Sequence, residues 1–107
     1  MATGNPRTGY GDDGMTDAII LRIERFAFPQ GAVCVERRNR GYTLTHAASG
    51  APVARLRPDP DGEHVEVLYW SLRPDRWSPT GSFGRTILPL DQALRFIAAE
   101  AIFWELI

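Results

Sequence analysis

The sequence predicts an α+β fold: a four- or five-stranded antiparallel meander sheet with an N-terminal helix and a C-terminal helix. Three observations carry this expectation. Apolar residues repeat at helical spacing from Ile19 to Ala27 and again from Leu90 to Ala101. Between Ala32 and Trp70 the apolar period falls to two. Turn-forming residues recur in that stretch roughly every ten positions, as in a chain of hairpins. With 107 residues, 44% hydrophobic and 23% charged, the chain has the size and composition of one ordinary domain, able to build a core without disulfides or a structural metal.

Met1 to Gly14 holds four glycines, a proline and two aspartates without apolar periodicity. Such a segment cannot offset its ordering entropy by burial, so a disordered tail is expected over 1–14 and a single α+β domain over 15–107. Thr16 is the expected N-cap, with Asp17 in the first turn. Ile19, Ile20, Ile23, Phe26 and Ala27 then mark helix one, from about Asp17 to Ala27. Pro29 and Gly31 end it, because proline disfavours helical geometry before it and lacks the N–H to continue the ladder.

Four strands are expected next: Ala32 to Arg37, Tyr42 to Ala47, Pro52 to Arg57 and Glu63 to Trp70. Even first and third loops with an odd second loop place Val33, Val35, Tyr42, Leu44, Ala54, Leu56, Val65, Val67 and Tyr69 on one core face. The odd loop is Ala48-Ser49-Gly50, with Gly50 left-handed in a bulged hairpin. Ser71 to Gly84, rich in proline, glycine and serine, is expected to be a long loop that accommodates a short strand around Arg76 and Trp77. Arg85 to Leu88 is the candidate fifth strand. Pro89 introduces helix two, whose buried stripe is Leu90, Leu94, Ile97, Ala98 and Ala101, with Phe103 and Trp104 capping the core.

Composition narrows function more than it names it. A formal net charge of -1 gives no general attraction to polyanions. All 12 basic residues are arginine, which together with abundant alanine, glycine and proline is the composition of a GC-rich, bacterial genome; selection for planar bidentate donors is the sharper reading. No apolar run reaches membrane length and the N-terminus has no signal-like stretch, so a soluble cytoplasmic protein with no membrane partner is expected. Cys34 is the single cysteine, which excludes an internal disulfide, and no Cys/His spacing fits zinc. The sequence predicts no cofactor, no metal and no catalytic residues.

Cys34 and His46 could form a thiolate–imidazole pair only if they shared a face, and the core register sends Cys34 outward and His46 inward. His46 is expected at the edge of the core and His64 in solvent. Asp59, Asp61 and Glu63 fit a turn, where aspartate bonds its own backbone, better than a calcium loop. Gly81-Ser82-Phe83-Gly84 with Arg85 resembles an anion-binding loop but lacks the P-loop lysine.

The outward face carries the functional expectation: Cys34, Glu36, Arg38, Thr43, Thr45, Val53, Arg55, Arg57, His64, Glu66, Leu68 and Trp70. Placing Pro58 opposite Glu63 sets Arg55 against Glu66 and Val53 against Leu68. Such a face is covered by helix one, by a second copy or another protein, or by nucleic acid stacked on Trp70 or Trp77. The expected role is a non-catalytic protein-interaction module, with a protein partner or homodimer. The alternative is a nucleic-acid-binding module using the arginine-rich first hairpin (Arg37, Arg38, Arg40) with Arg55, Arg57 and the sheet aromatics; an enzyme with an unlocated site is third. The candidate binding residues are Arg38, Arg40, Arg55, Arg57, Leu68, Trp70 and Trp77.

Overall fold

A computed structural model describes residues 17–72, 75–80 and 85–107. The tail, Thr16 and the Gly81-Ser82-Phe83-Gly84 loop lie outside them. In chain order the elements are α1 (Ala18–Arg25), β1 (Val33–Arg38), β2 (Gly41–His46), β3 (Pro52–Pro58), β4 (His64–Ser71), β5 (Arg76–Pro79), β6 (Thr86–Pro89), α2 (Leu90–Ala99) and a 3-10 turn, Ala101–Phe103. The fold is α+β, and all strand pairs are antiparallel. The sheet runs β1-β2-β3-β4, and β5 and β6 then share the outer edge of β4. β6 takes the His64 to Val67 half and β5 the Leu68 to Ser71 half. The Thr80 and Thr86 hydroxyls bond at 2.6 Å where the two edge strands meet. Both short strands expected after Ser71 are therefore present, and they make six in all among the described residues.

Three turns set the register. Asn39 and Arg40 take φ of 48° and 62° between the paired residues Arg38 and Gly41, a two-residue turn whose twist matches the strands. Gly50 has φ 76°, as the bulged hairpin requires. In the third turn the Asp61 carboxylate accepts the N–H groups of Glu63 and His64 at 2.8 and 3.0 Å, and these bonds hold its pKa below the ordinary carboxylate value.

The expected core face forms: Tyr42, Leu44, Ala54, Leu56, Val65 and Val67 are buried together, with Val33, Val35 and Tyr69 packed at the margin. Two details of the pairing differ from expectation. Pro58 lies opposite Val65 rather than Glu63, so Arg57 faces Glu66 and Arg55 faces Leu68. A two-residue slip preserves every face while exchanging every partner, which is why the apolar pattern could not detect it. The second difference is a bulge: Leu44 pairs with Ala54 but Thr45 pairs with Pro52, leaving Val53 as the extra residue. Val53 accordingly joins the core cluster instead of the outer face.

The helices also depart from expectation in detail. Asp17, not Thr16, caps α1: its Oδ1 accepts the N–H groups of Ile19 and Ile20. The helix ends at Arg25, Phe26 being its C-cap, so Phe28 rather than the exposed Ala27 enters the core. In α2 Leu90, Ala93, Leu94 and Ile97 are buried, whereas Ala101 is exposed because the chain turns extended at Glu100 and the helical period stops there. Phe103 and Trp104 are buried, and the Trp104 indole donates to the Ile97 carbonyl at 2.8 Å. Ile23 of α1 and the buried residues of α2 belong to one cluster with the inner sheet face. An Arg22–Asp91 ion pair joins the two helices. Both helices therefore pack on the same side, which removes helix one as the cover of the outer face.

Candidate functional site

The strand pairing arranges the outer face in rows that cross the sheet. One row runs Glu36, Thr43, Arg55, Leu68 and Pro79. The row toward the β1–β2 and β3–β4 turns runs Arg57, Glu66 and Ile87, with Arg38 opposite Gly41 on β1 and β2. The row on the other side pairs Trp70 with Trp77. One end of the face is thus charged, the middle mixed and the other end aromatic.

Arg55 is the best-held side chain of this face. Only 9% of it is exposed, and its guanidinium donates to Thr43 Oγ1 at 3.0 Å and to the carbonyls of Arg38 and Asn39 at 2.9 Å each. It closes the two-residue turn from above. A side chain at position 41 would put a Cβ 2.7 Å from Arg55 Nη2, so glycine there is what admits the guanidinium. Burial, reinforced by the neighbouring Arg57 and Arg38, lowers its pKa from the usual arginine value, although it stays cationic. Arg55 is a structural clamp with three of its five N–H donors committed inside the chain.

Glu66 is the second buried charge. Its carboxylate, 8% exposed, lies 3.9 Å from both Arg57 Nη1 and Arg85 Nη1, whose side chains are 58% and 61% exposed. Two largely exposed arginines share one fixed carboxylate, which leaves excess positive charge. Arg38 pairs loosely with Glu36 at 3.4 Å, and Arg40 projects from the turn. Of the seven candidate binding residues, Arg38, Arg40 and Arg57 are exposed, Arg55 is withdrawn into the fold, and Leu68, Trp70 and Trp77 come together. Leu68 is buried yet outside the main core. The half-buried Trp70 and Trp77 meet edge to face, with centroids 5.1 Å apart and planes at 79°. A loop over residues 71 to 84 leaves no face for Pro79, and parity alone did not attach Arg85 and Ile87 to this one. The alternation of Trp77 with Pro79 and of Arg85 with Ile87, each matching the period of β4, was the available signal.

The other constellations resolve as structural features. Cys34 is exposed and opposite Thr45, while His46 is opposite Val33, so the two lie on different faces. His46 Nε2 must carry the proton, since it contacts the Gln30 carbonyl at 3.0 Å, leaving Nδ1 to accept from the Ser49 N–H at 3.3 Å. Gly31 packs so closely that a Cβ would sit 2.9 Å from His46 Nε2. His64 is partly shielded and bonds Asp61 Oδ2 at 2.6 Å. On the helix side Asp17 has a second role beyond capping. Its Oδ2 accepts the Tyr42 hydroxyl at 2.8 Å and lies 3.6 Å from Arg37 Nη1. Arg37 is thereby tied to the helix side of the sheet. Burial, then the bond to Asp17 and its charge, push the Tyr42 pKa up to about 12.

A cleft of about 290 Å³ opens between α1, the β3–β4 turn and the start of α2, lined by Ile19, Arg22, Pro58, Gly62, Glu63, His64, Val65, Pro89, Leu90 and Asp91. It encloses His64 rather than His46, and no serine, threonine, cysteine or lysine lines it to act as a nucleophile. Among the described residues no group of three or more His, Cys, Asp or Glu could hold a metal ion, and no helix is long and apolar enough to cross a membrane. Compared with protein families, curated proteins and solved structures, the chain matches none.

Proposed function

We propose that this protein is a small interaction module that binds a protein partner through the sheet face opposite its helices. The observation that carries the reading is the aromatic end of that face. Trp70 and Trp77 stay half-exposed on the same sheet face as the buried Leu68, where neither helix packs. Tryptophan and arginine are the residues most enriched at the energetic centres of protein interfaces. Nucleic-acid binding is less favoured. Arg55 is only 9% exposed and spends three of its five N–H donors inside the chain, Glu66 sits among the arginines, and an edge-to-face pair presents no open platform for successive bases.

The test is affinity purification with and without nuclease, comparing the wild type with Trp70→Ala. The reading expects a nuclease-resistant protein partner whose affinity falls by about 2 kcal/mol or more in the variant, with cooperative unfolding retained. Nuclease-sensitive recovery, with loss and a flatter salt slope when Arg38 and Arg40 are reversed in charge, would replace it with the nucleic-acid reading.

A further inference from the structure

The charges around the aromatic end specify the partner more closely, on the assumption that the outer face is the interaction surface. Leaving aside Arg55, which is committed to backbone carbonyls, the charged end of the face holds Arg57 and Arg85 against a single buried carboxylate, Glu66. Each arginine approaches that carboxylate at 3.9 Å through one nitrogen, and both side chains stay more than half exposed, at 58% and 61%. Apart from Glu36 on β1, which pairs with Arg38, the other acidic side chains lie toward the two ends: Asp75 beyond the tryptophans, and the Asp59 to Glu63 turn beyond His64. A positive band therefore lies between an aromatic patch and an acidic rim.

We infer that the occupant of this face is an extended peptide segment of a partner protein that carries an apolar side chain and, two to four residues away, a carboxylate. The apolar group fits against Trp70 and Trp77, and the carboxylate fits the band made by Arg57 and Arg85. The spacing follows from the strand itself. Trp70 and Glu66 are four residues apart on β4, ~13 Å at the usual strand rise, so an extended ligand places its acid about as many residues from its anchor. Guanidinium groups recognise carboxylate with paired donors, and charge on a rim adds selectivity and association rate to an apolar anchor. A carboxylate placed farther along would meet the acidic turn, so the band also sets the limit of the spacing.

A library of random twelve-residue peptides displayed on phage, selected against the immobilised full chain, tests this directly. The expected result is enrichment of peptides with Asp or Glu two to four residues from an aromatic or aliphatic residue. A synthetic copy of the best peptide should bind at least tenfold more weakly to Arg57→Ala/Arg85→Ala and to Trp77→Ala. Removing both arginines strips Glu66 of its partners and could perturb folding, so Glu66→Gln is the second variant. It frees both arginines and should tighten binding several-fold, an effect that a purely structural role for the arginines would not produce. Enrichment of basic or uncharged apolar peptides that still require Trp77 would overturn the acidic class and leave the interaction surface standing. Failure to enrich any peptide would overturn the peptide inference alone, if a partner lost in Trp70→Ala is still recovered from cells. Competition of the peptide by a twenty-residue oligothymidylate, with salt-steep binding of that oligonucleotide, would overturn both.

Discussion

The two faces of the sheet are built from alternate residues of the same strands, yet they are buried by different means. On the inner face Leu44, Ala54, Leu56 and Val67 reach 0% exposure beneath the two helices, where contact is apolar and nondirectional. On the outer face Arg55 and Glu66 are nearly as inaccessible without any helix above them. Arg55 is covered through hydrogen bonds to a turn that it closes, and Glu66 is flanked by two arginines. Burial of the first kind depends on volume and burial of the second kind on partners. The same degree of inaccessibility therefore predicts different responses to substitution.

The largest effect belongs to the inner face. Ile97→Ala removes a fully buried side chain at the centre of the helix-covered core and should cost ~2–5 kcal/mol in denaturant unfolding, with no specific effect on partner affinity in the folded fraction. A loss below ~1 kcal/mol would show that the core is loosely packed and erase the contrast. On the outer face Arg55→Ala should cost ~2–3 kcal/mol by orphaning the Arg38 and Asn39 carbonyls, more than its surface position suggests. If it instead behaves as a neutral surface change while weakening partner binding, Arg55 belongs to the interface and not to the fold.

Tyr42→Phe sharpens the comparison from the helix side, because its hydroxyl is a directional bond within an apolar layer. It should cost ~1–2 kcal/mol at neutral pH through the lost bond to Asp17. The pH dependence has a definite sign. The folded-state pKa of about 12 lies above the ordinary value of 10, so the contribution is complete below pH 10 and disappears as pH rises toward 12. Thermal melts across that window should show a steeper decline for the wild type than for Tyr42→Phe, and parallel declines would refute the bond. A smaller change is expected at the turn. Arg40→Gly relieves a left-handed arginine and should stabilise the hairpin by ~1 kcal/mol, whereas a loss would mean that the Arg40 side chain makes a stabilising contact. Smallest is Arg38→Ala, which removes one exposed pair with Glu36 and should change stability by less than ~0.5 kcal/mol.

Which residues belong to the inner face was legible in the sequence because alternation along a strand is a local property. Val33, Val35, Leu44, Leu56 and Val67 read correctly from parity and loop length alone. The left-handed Gly50 was legible for a similar reason, since few residues tolerate that backbone. The candidate site was only half legible. Leu68, Trp70 and Trp77 do cluster, but Arg55, a ligand contact by parity, is spent inside the chain. Arg85, which pairs with Glu66 on this face, reads from its neighbours as part of an anion loop and a strand. Parity says which side a residue faces and nothing about what meets it there.

The sequence by itself determined the class of fold, the order of its elements and the side of the sheet that most strand residues take, because period, caps and turn chemistry act within a few residues. Only the tertiary structure decided the rest. Pairing β3 with β4 two residues out of the expected register changed every cross-strand partner, including the arginine opposite Glu66, at no cost to the apolar pattern. The bulge moved Val53 to the core by one inserted residue. The side on which α1 packs followed from long-range contacts, its apolar stripe and the link from Asp17 to Tyr42, since an amphipathic helix specifies that one face must be buried but not which surface buries it. That choice left the tryptophans uncovered by either helix.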